Sequence, residues 1–535
     1  MSRCECSMAQ HNLAKRWHLR PGAWTVTRLL LVVTLAATIA LRASPGLAAP
    51  DSYLGIVPHL RDEIRGETGG KLSSYHIDAR FDAPSSTVSG RLRLRFVNAF
   101  DRPLPDLAFR LYPNAPYYAE GALRVRDVRV GDDRVEPSFE TGDTVMRILL
   151  PSPLQPGEQI TVQMHFETVI PADSQGTYGI FSRDTRRGTW VLADWYPILA
   201  GYEPGRGWRL DPPTDLGDPT FSQAALYDVS LITPPGLTVV ATGAAIEETT
   251  EAHAIARRFV SGPAREFTLV MDDDYRASSE TIDGTRVSVF TNPGADEARA
   301  TLIQDAAARA LAAFARRYGP YPYTELDIVE TELAGALGVS WAGIIFLDSS
   351  DLFSRPLASD QDAQRTIFTV AHEVGHQWWG GTVGANSNDY PFLVEGLTNY
   401  LAIVCLADML GRDAANQQLH EQIAQPYLAA IAQFGDGVAN RPANAPQGGP
   451  PNGVLIYGKA ALGFLAIRIE VGDTAFFAAL RDLAGQEAFG ITTPTEVRRV
   501  FERSAGVSLA ATWRFWFEAA ETTPEDVANL LVNAA

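Results

Sequence analysis

The sequence predicts an α+β protein in which an N-terminal antiparallel β domain is followed by a mainly helical domain. Three observations carry that expectation. From about residue 70 to 290, apolar residues alternate with polar ones, the period of a half-buried strand. Just after Pro293 and Gly294 the spacing lengthens to that of a helix. Beyond that point the longest apolar runs exceed strand length and end at glycine or proline stops, as helices do.

The chain has 535 residues, more than one hydrophobic core fills, so several units are expected. They are a leader over 1–48, a β domain over 49–292 and a mainly helical domain over 293–535. Lys15, Arg16, Arg20 and Arg28 precede an apolar run from Leu29 to Leu41, and Gly46-Leu47-Ala48 offers small residues for cleavage. This is the pattern of an export signal. It implies a periplasmic or extracellular protein, held at a membrane only if the segment stays uncleaved. Arg42 ends the run too early for a comfortable span, and no later segment reads as membrane-crossing. Cys4 and Cys6 lie within the leader, and Cys405 stands alone in an apolar helix, where a packing role is expected. The formal charge of −18 excludes nucleic acid as a partner, because phosphate binding needs clustered cations.

In the β domain, Tyr75, Ile77, Ala79 and Phe81 alternate with polar neighbours. So do Leu92, Leu94 and Phe96 between Arg91, Arg93 and Arg95, and so do Ile160, Val162, Met164 and Phe166. Turns rich in Pro, Gly and Asp separate these runs, and no repeat of fixed period is present. Ala295 to Tyr318 is alanine-rich with helical spacing and stops at Gly319-Pro320. LDIVE (326–330) reads as a strand, and VSWAGIIFLD (339–348) as one buried or edge strand. A helix is expected from Gln361 to Trp379, with Ile367, Val370, Ala371, Val374 and Trp378 as its core stripe and Gly380-Gly381 as its stop. A second apolar helix is expected over 392–410. Residues 435–455 form a Gly, Pro and Asn loop, either a gate or a passive connection, and helices fill the rest to about 520.

The helix over 361–379 carries His372, Glu373 and His376, and Glu395 follows 19 positions after the second histidine. Imidazoles four apart share a helix face, so both reach one cation. The glutamate between them is turned by about 100° and sits beside the metal without ligating it. With Glu395 as third donor, one coordination position is left for water, the mark of a catalytic zinc site rather than a structural one. The pattern therefore implies a zinc hydrolase with Glu373 as the proton acceptor. The bland reading is a helix with two histidines and no metal.

These residues resemble the aminopeptidase N and leukotriene-hydrolase family of gluzincin metallopeptidases. HEVGHQWWGGTVG followed by NDYPFLVEGLTNY reproduces that family's His-Glu-x-x-His, eighteen intervening residues and a glutamate followed by glycine. LADWYP and LITPPGLTVVATG look like its β-domain landmarks, and YGPYPYTELDIVE like the start of its catalytic domain. IYGKAALGFL (456–465) resembles the Tyr-x-Lys-Gly segment that supplies a catalytic tyrosine. The resemblance covers about residues 74–520. It implies a saddle-like β domain and a thermolysin-like zinc catalytic domain, in a short form without the family's large C-terminal helical domain. It further implies His372, His376 and Glu395 as ligands of one Zn2+, Glu373 as general base and Tyr457 as oxyanion donor. A peptide is the implied substrate. Asn399, one turn beyond Glu395, reads as a residue that could orient a ligand or serve as a surface or cap residue.

One departure bears on specificity. The family's exopeptidases carry Gly-x-Met-Glu before the zinc helix, and that glutamate binds the substrate's free ammonium. Here the stretch is Gly338-Val339-Ser340-Trp341, with Ser340 in the place of the acid. Either a nearby acid such as Glu330 or Glu332 substitutes, or a free N-terminus is not strictly required. Other readings consistent with the sequence are a catalytically decayed zinc-binding scaffold of the same fold and a zinc hydrolase of a non-peptide substrate.

Overall fold

Period-two patterning buries one face of each N-terminal strand and so assembles residues 73–264 into sheets. The computed structural model describes residues 51–215, 220–446 and 449–534; the expected leader, with Cys4 and Cys6, lies outside them. The largest sheet has eight strands. In spatial order they are Ala244–Glu251, Ala254–Ala264, Ala225–Thr233, Ser73–Asp82, Thr87–Val97, Gln159–Val169, Ala122–Val130 and Asp133–Arg134. Ile77 lies opposite Leu92 and Tyr75 opposite Leu94, and all four are buried. One pairing departs from the antiparallel expectation, because Ser73–Asp82 runs parallel to Ala225–Thr233. Alternation records which face is buried and is silent on strand direction. Two four-stranded sheets add Trp195, Tyr196 and Phe109 to the same core.

The second half is built around a five-stranded mixed sheet, in order Arg276–Ile282, Thr285–Thr291, Glu325–Thr331, Ile344–Asp348 and Gly338–Trp341. Its first two strands precede the change to helical period. Hydrogen bonding joins them to the sheet beneath the helices. The segment over 339–348, read from sequence as one strand, is a hairpin, with Ser340 opposite Ile345. Gly343 makes the fold-back possible at φ +77, a conformation that costs glycine little.

Helix α1 (Glu297–Tyr318) begins where the Asp296 carboxylate accepts the Arg299 N–H and ends at Gly319. Its small buried face, including Ala306, Ala307 and Ala310, lets α2 (Asp360–Gly375) pack against it. The Ser359 hydroxyl caps α2 by accepting the Asp362 N–H. Regular helix stops at Gly375 rather than at Trp379, so His376 is the first residue past it. The expected stripe of Ile367, Val370, Ala371, Val374 and Trp378 is buried.

Next comes a π turn, Phe392–Gly396, which leads into α3 (Leu397–Leu410). Contrary to the sequence reading, the stretch Phe392–Leu410 is apolar and long enough to cross a membrane by composition. It is largely buried in the protein and carries Glu395 and Asn399, so it is a core helix. Cys405 is buried in it, and that burial pushes its thiol up to about 12, as a packing residue requires. Another π turn, Val454–Lys459, starts α4 (Ala460–Gln486). Helical structure continues through Pro524–Ala534, beyond the expected end.

Candidate metal and catalytic centre

Two helices supply the centre, and glycines let them meet. A Cβ on Gly375 would meet Thr398 Cγ2 at 2.8 Å and Phe314 Cζ at 3.0 Å, so the close approach of α2 to α3 and α1 at this point requires glycine. A Cβ on Gly396 would meet Ala460 Cβ at 2.5 Å. That contact seats the Tyr457 turn against the Glu395 turn.

His372 and His376 present their Nε2 atoms 3.0 Å apart. Glu395 Oε2 lies 3.3 Å from each of them. The His376 Nδ1–H donates to the Trp379 backbone carbonyl at 2.9 Å. A carbonyl only accepts, so this bond fixes the tautomer and turns the Nε2 lone pair inward. His372 Nδ1 is buried with no hydrogen-bond partner among the described residues. Burial opposes charge on Glu395, yet the two imidazoles hold it well below the usual carboxylate range. Burial likewise opposes charge on His376, but Glu395 overrides it and raises the group to about 9.

Two inward nitrogens and a carboxylate oxygen at these spacings form a donor set that can converge on one cation. The three donor atoms lie within 4.8 Å of one another, and a two-nitrogen, one-oxygen set suits zinc while leaving a coordination position open. The residues therefore fit the ion that the sequence implies.

The centre opens into a cleft of about 400 Å3, walled in part by Tyr178, Ile180, Trp341, Phe368 and Val394. Glu373 is buried on its floor. Tyr457 stands on the lip with 39 % of its surface exposed, its ring 6.0 Å from that of His372. Enclosure of its hydroxyl and the adjacent Glu395 carboxylate push its ionisation well above the usual phenol range, so it remains a proton donor. All five residues singled out from the sequence thus line one cleft.

Other contacts were not visible in the sequence. The Asn399 amide donates to the Tyr457 backbone carbonyl at 2.8 Å, so it braces the tyrosine. Ser340 Oγ donates to Glu373 Oε2 at 2.6 Å. Gln377 braces the hairpin by donating to the Trp341 carbonyl at 2.9 Å and accepting from the Gly343 N–H at 2.9 Å. Arg265 reaches from the β domain to the carbonyls of Gly380, Gly381 and Gly490. The acids that the sequence offered in place of the missing one lie elsewhere, since neither lines the cleft. Glu330 accepts from Ser349 and the Asn292 N–H, and Glu332 pairs with Arg186 and Arg187. Sequence proximity suggested them, but both are engaged by these partners outside the cleft.

Residues 303–516 match the peptidase family M1 domain. Aminopeptidase M1-B of Oryza sativa subsp. japonica is 30% identical over 138 residues, which cover 25% of this chain and 16% of that protein. The match thus spans well under a quarter of the relative's own length. Among solved structures, the M1 zinc metallopeptidase from Deinococcus radiodurans superposes with a TM-score of 0.61 at 18% identity, covering 84% of this chain and 94% of that one. A mutant of the Deinococcus radiodurans enzyme bound to a Tyr-Ser-Ala substrate gives 0.59 at 17% identity over the same shares. The N-terminal sheets followed by a helical unit are the fold of those proteins. Residues 303–516 thus match the peptidase family M1 domain, and the architecture resembles that of the two-domain M1 zinc metallopeptidases.

Proposed function

We propose that the protein hydrolyses peptide bonds as a zinc-dependent metallopeptidase. His372, His376 and Glu395 would hold the ion. The observation that supports this most strongly is the convergence of those three donors beside the buried carboxylate of Glu373. Zinc in that place supplies Lewis acidity, polarising the scissile carbonyl and lowering the pKa of the attacking water. Glu373 takes the proton that water loses on attacking the carbonyl carbon. It returns that proton to the departing amine nitrogen as the C–N bond breaks. Tyr457 donates its phenolic hydrogen to the carbonyl oxygen as charge accumulates there.

Glu373→Gln tests the reading. With zinc content unchanged, turnover of a fluorogenic alanyl amide should fall by about 10²–10⁴-fold. Wild-type turnover by that variant, or a purified protein into which no transition metal can be loaded, would sink it.

The finer reading is aminopeptidase-like action without a strict need for a free amino terminus. Ser340 stands where the acid is expected, and its hydroxyl is engaged with Glu373. Apart from Glu373 and Glu395, the carboxylate lining the cleft among the described residues is Glu266, which already receives the Trp341 indole N–H at 2.8 Å. Losing one member of an ammonium–carboxylate pair costs about 2–5 kcal/mol, enough to erase most preference for a free amine. An alanyl amide and its N-acetylated form should therefore both be cleaved, each in a chelator-sensitive way. Rejection of the blocked compound would restore strict exopeptidase action. The missing acid also favours a second reading, a decayed zinc scaffold. Equal peptide binding by wild type and Glu373→Gln, with turnover by neither, would support it. Action outside the cytoplasm rests on the basic and apolar pattern before Ala48, and N-terminal sequencing of the mature protein tests it.

A further inference from the structure

The base proposed for this reaction is gripped from outside its own helix. Glu373 lies flat against the edge strand Gly338–Trp341. A Cβ on Gly338 would meet its Cδ and Oε1 at 2.5 Å, so only glycine allows the contact. Two residues on, Ser340 Oγ is 2.6 Å from Oε2 and 3.1 Å from the Glu373 backbone carbonyl. The shorter contact has the length of a charge-assisted hydroxyl–carboxylate bond, and it takes the hydroxyl's single proton.

The strand itself has little freedom. Gly338 pairs with Leu347 and Ser340 with Ile345. The hairpin turn is tied back to Gln377, which follows the second histidine, by two hydrogen bonds of 2.9 Å. The place of Ser340 beside the metal-site helix is thus set by strand pairing and by the tie of the hairpin turn to Gln377. An unrestrained glutamate has several staggered conformers, and an acceptor held within hydrogen-bond reach of its proton is what base catalysis requires.

We propose that Ser340 is a positioning residue for Glu373: its hydroxyl selects one conformer of the carboxylate and occupies Oε2, leaving Oε1 to receive the proton from the attacking water. A side chain in the place of a substrate-binding acid then acts on the chemical step instead of on the substrate's amine. The inference rests on Glu373 being the base.

Steady-state kinetics of the full-length, zinc-loaded protein on whichever alanyl amide it cleaves provides the test. Ser340→Ala should lower kcat by about 10–100-fold, the loss typical of removing a residue that orients a metal-site group. KM and zinc content should stay within about twofold, as expected for an interaction made only in the transition state. Ser340→Thr, which keeps the hydroxyl on a strand-compatible side chain, should recover most of the loss. Ser340→Cys, nearly the same size but a weaker donor, should fall in the same direction as alanine if alanine disturbs folding. In a Glu373→Gln background, Ser340→Ala should change the residual rate by less than about twofold, because the two residues act as one unit. Wild-type kcat in both Ser340→Ala and Ser340→Cys while Glu373→Gln is inactive would overturn the positioning role and leave the base intact. A loss confined to KM, or a threonine variant as slow as alanine, would also overturn it. Full activity of Glu373→Gln would instead overturn the underlying reading, and the inference with it.

Discussion

Asn399 sits one turn beyond Glu395, and from that spacing a ligand-orienting role is a reasonable expectation. Its amide instead spans to another helix and holds the backbone carbonyl of Tyr457 at 2.8 Å. The spacing was legible because it is local, but the partner is 58 residues away in the chain and no periodicity announces it. Tyr457 needs such support because it lies exposed on the lip. Removal of an oxyanion donor costs about 10²–10³-fold in kcat, and Tyr457→Phe should fall in that range. Asn399→Leu should lose about tenfold. The double variant should be hardly slower than Tyr457→Phe alone, whereas multiplied losses would show that Asn399 acts elsewhere. The same contrast applies to Ser340. Its identity is plain in the sequence, while its contact with Glu373 exists only because the segment over 339–348 turns back on itself.

At the scale of elements, helix bounds were legible in part. Gly319 ends α1 as expected, and the apolar run over 392–410 is one continuous helical stretch, whereas the caps Asp296 and Ser359 went unread and Gly380-Gly381 does not mark the end of α2. Two of the π turns bear on the site and were not legible, since an apolar run with no marked face hides the phase shift of an extra residue. Both carry site residues, Glu395 and Tyr457. The second is anchored by Lys459, whose ammonium donates to Asp436 Oδ2 at 2.6 Å and to the carbonyls of Gly437 and Ala519 at 2.8 and 2.7 Å. All three protons are used, and the side chain is fully buried. Lys459→Met would leave the buried Asp436 carboxylate without its cation, which costs about 3–5 kcal/mol. Urea denaturation should show that loss, and kcat should fall as the Tyr457 turn loosens. A loss below about 1 kcal/mol, the value of an exposed pair, would mean the bridge is not enclosed as described. In the loop segment before residue 447, the Asn440 N–H donates to the Phe517 carbonyl and the Ala443 N–H to the Asn388 carbonyl.

At the scale of the molecule, the β domain supports the centre from behind. Arg265 is buried among backbone carbonyls on both sides of the metal-site turn, and that burial lowers its guanidinium to about 10. Farther out, His76 joins the central strands by bonding Asp228 at 2.9 Å, with Asp78 at 3.5 Å; Arg258 also binds Asp228. The hydrogen bonds to Asp228 and Asp78 raise His76 from 6.5 to about 9. A folded-state value above the unfolded one means the imidazolium stabilises the native protein fully below pH 6.5. That contribution is then lost as pH rises through about 9. The Tm advantage of wild type over His76→Gln should therefore shrink across that window. An advantage that grew with pH would show the pair to be assigned the wrong sign.

The order of strands and helices and the choice of His372, His376 and Glu395 as candidate metal donors follow from the chain alone. Both rest on local periods and on residue chemistry a few positions apart. Sheet direction, the hairpin over 339–348, the failure of Glu330 and Glu332 to reach the cleft, and the grip of Ser340 on Glu373 were decided by tertiary structure. Each depends on contacts between segments far apart in sequence, permitted by close approaches at Gly338, Gly375 and Gly396, and no pattern within one segment encodes its distant neighbour.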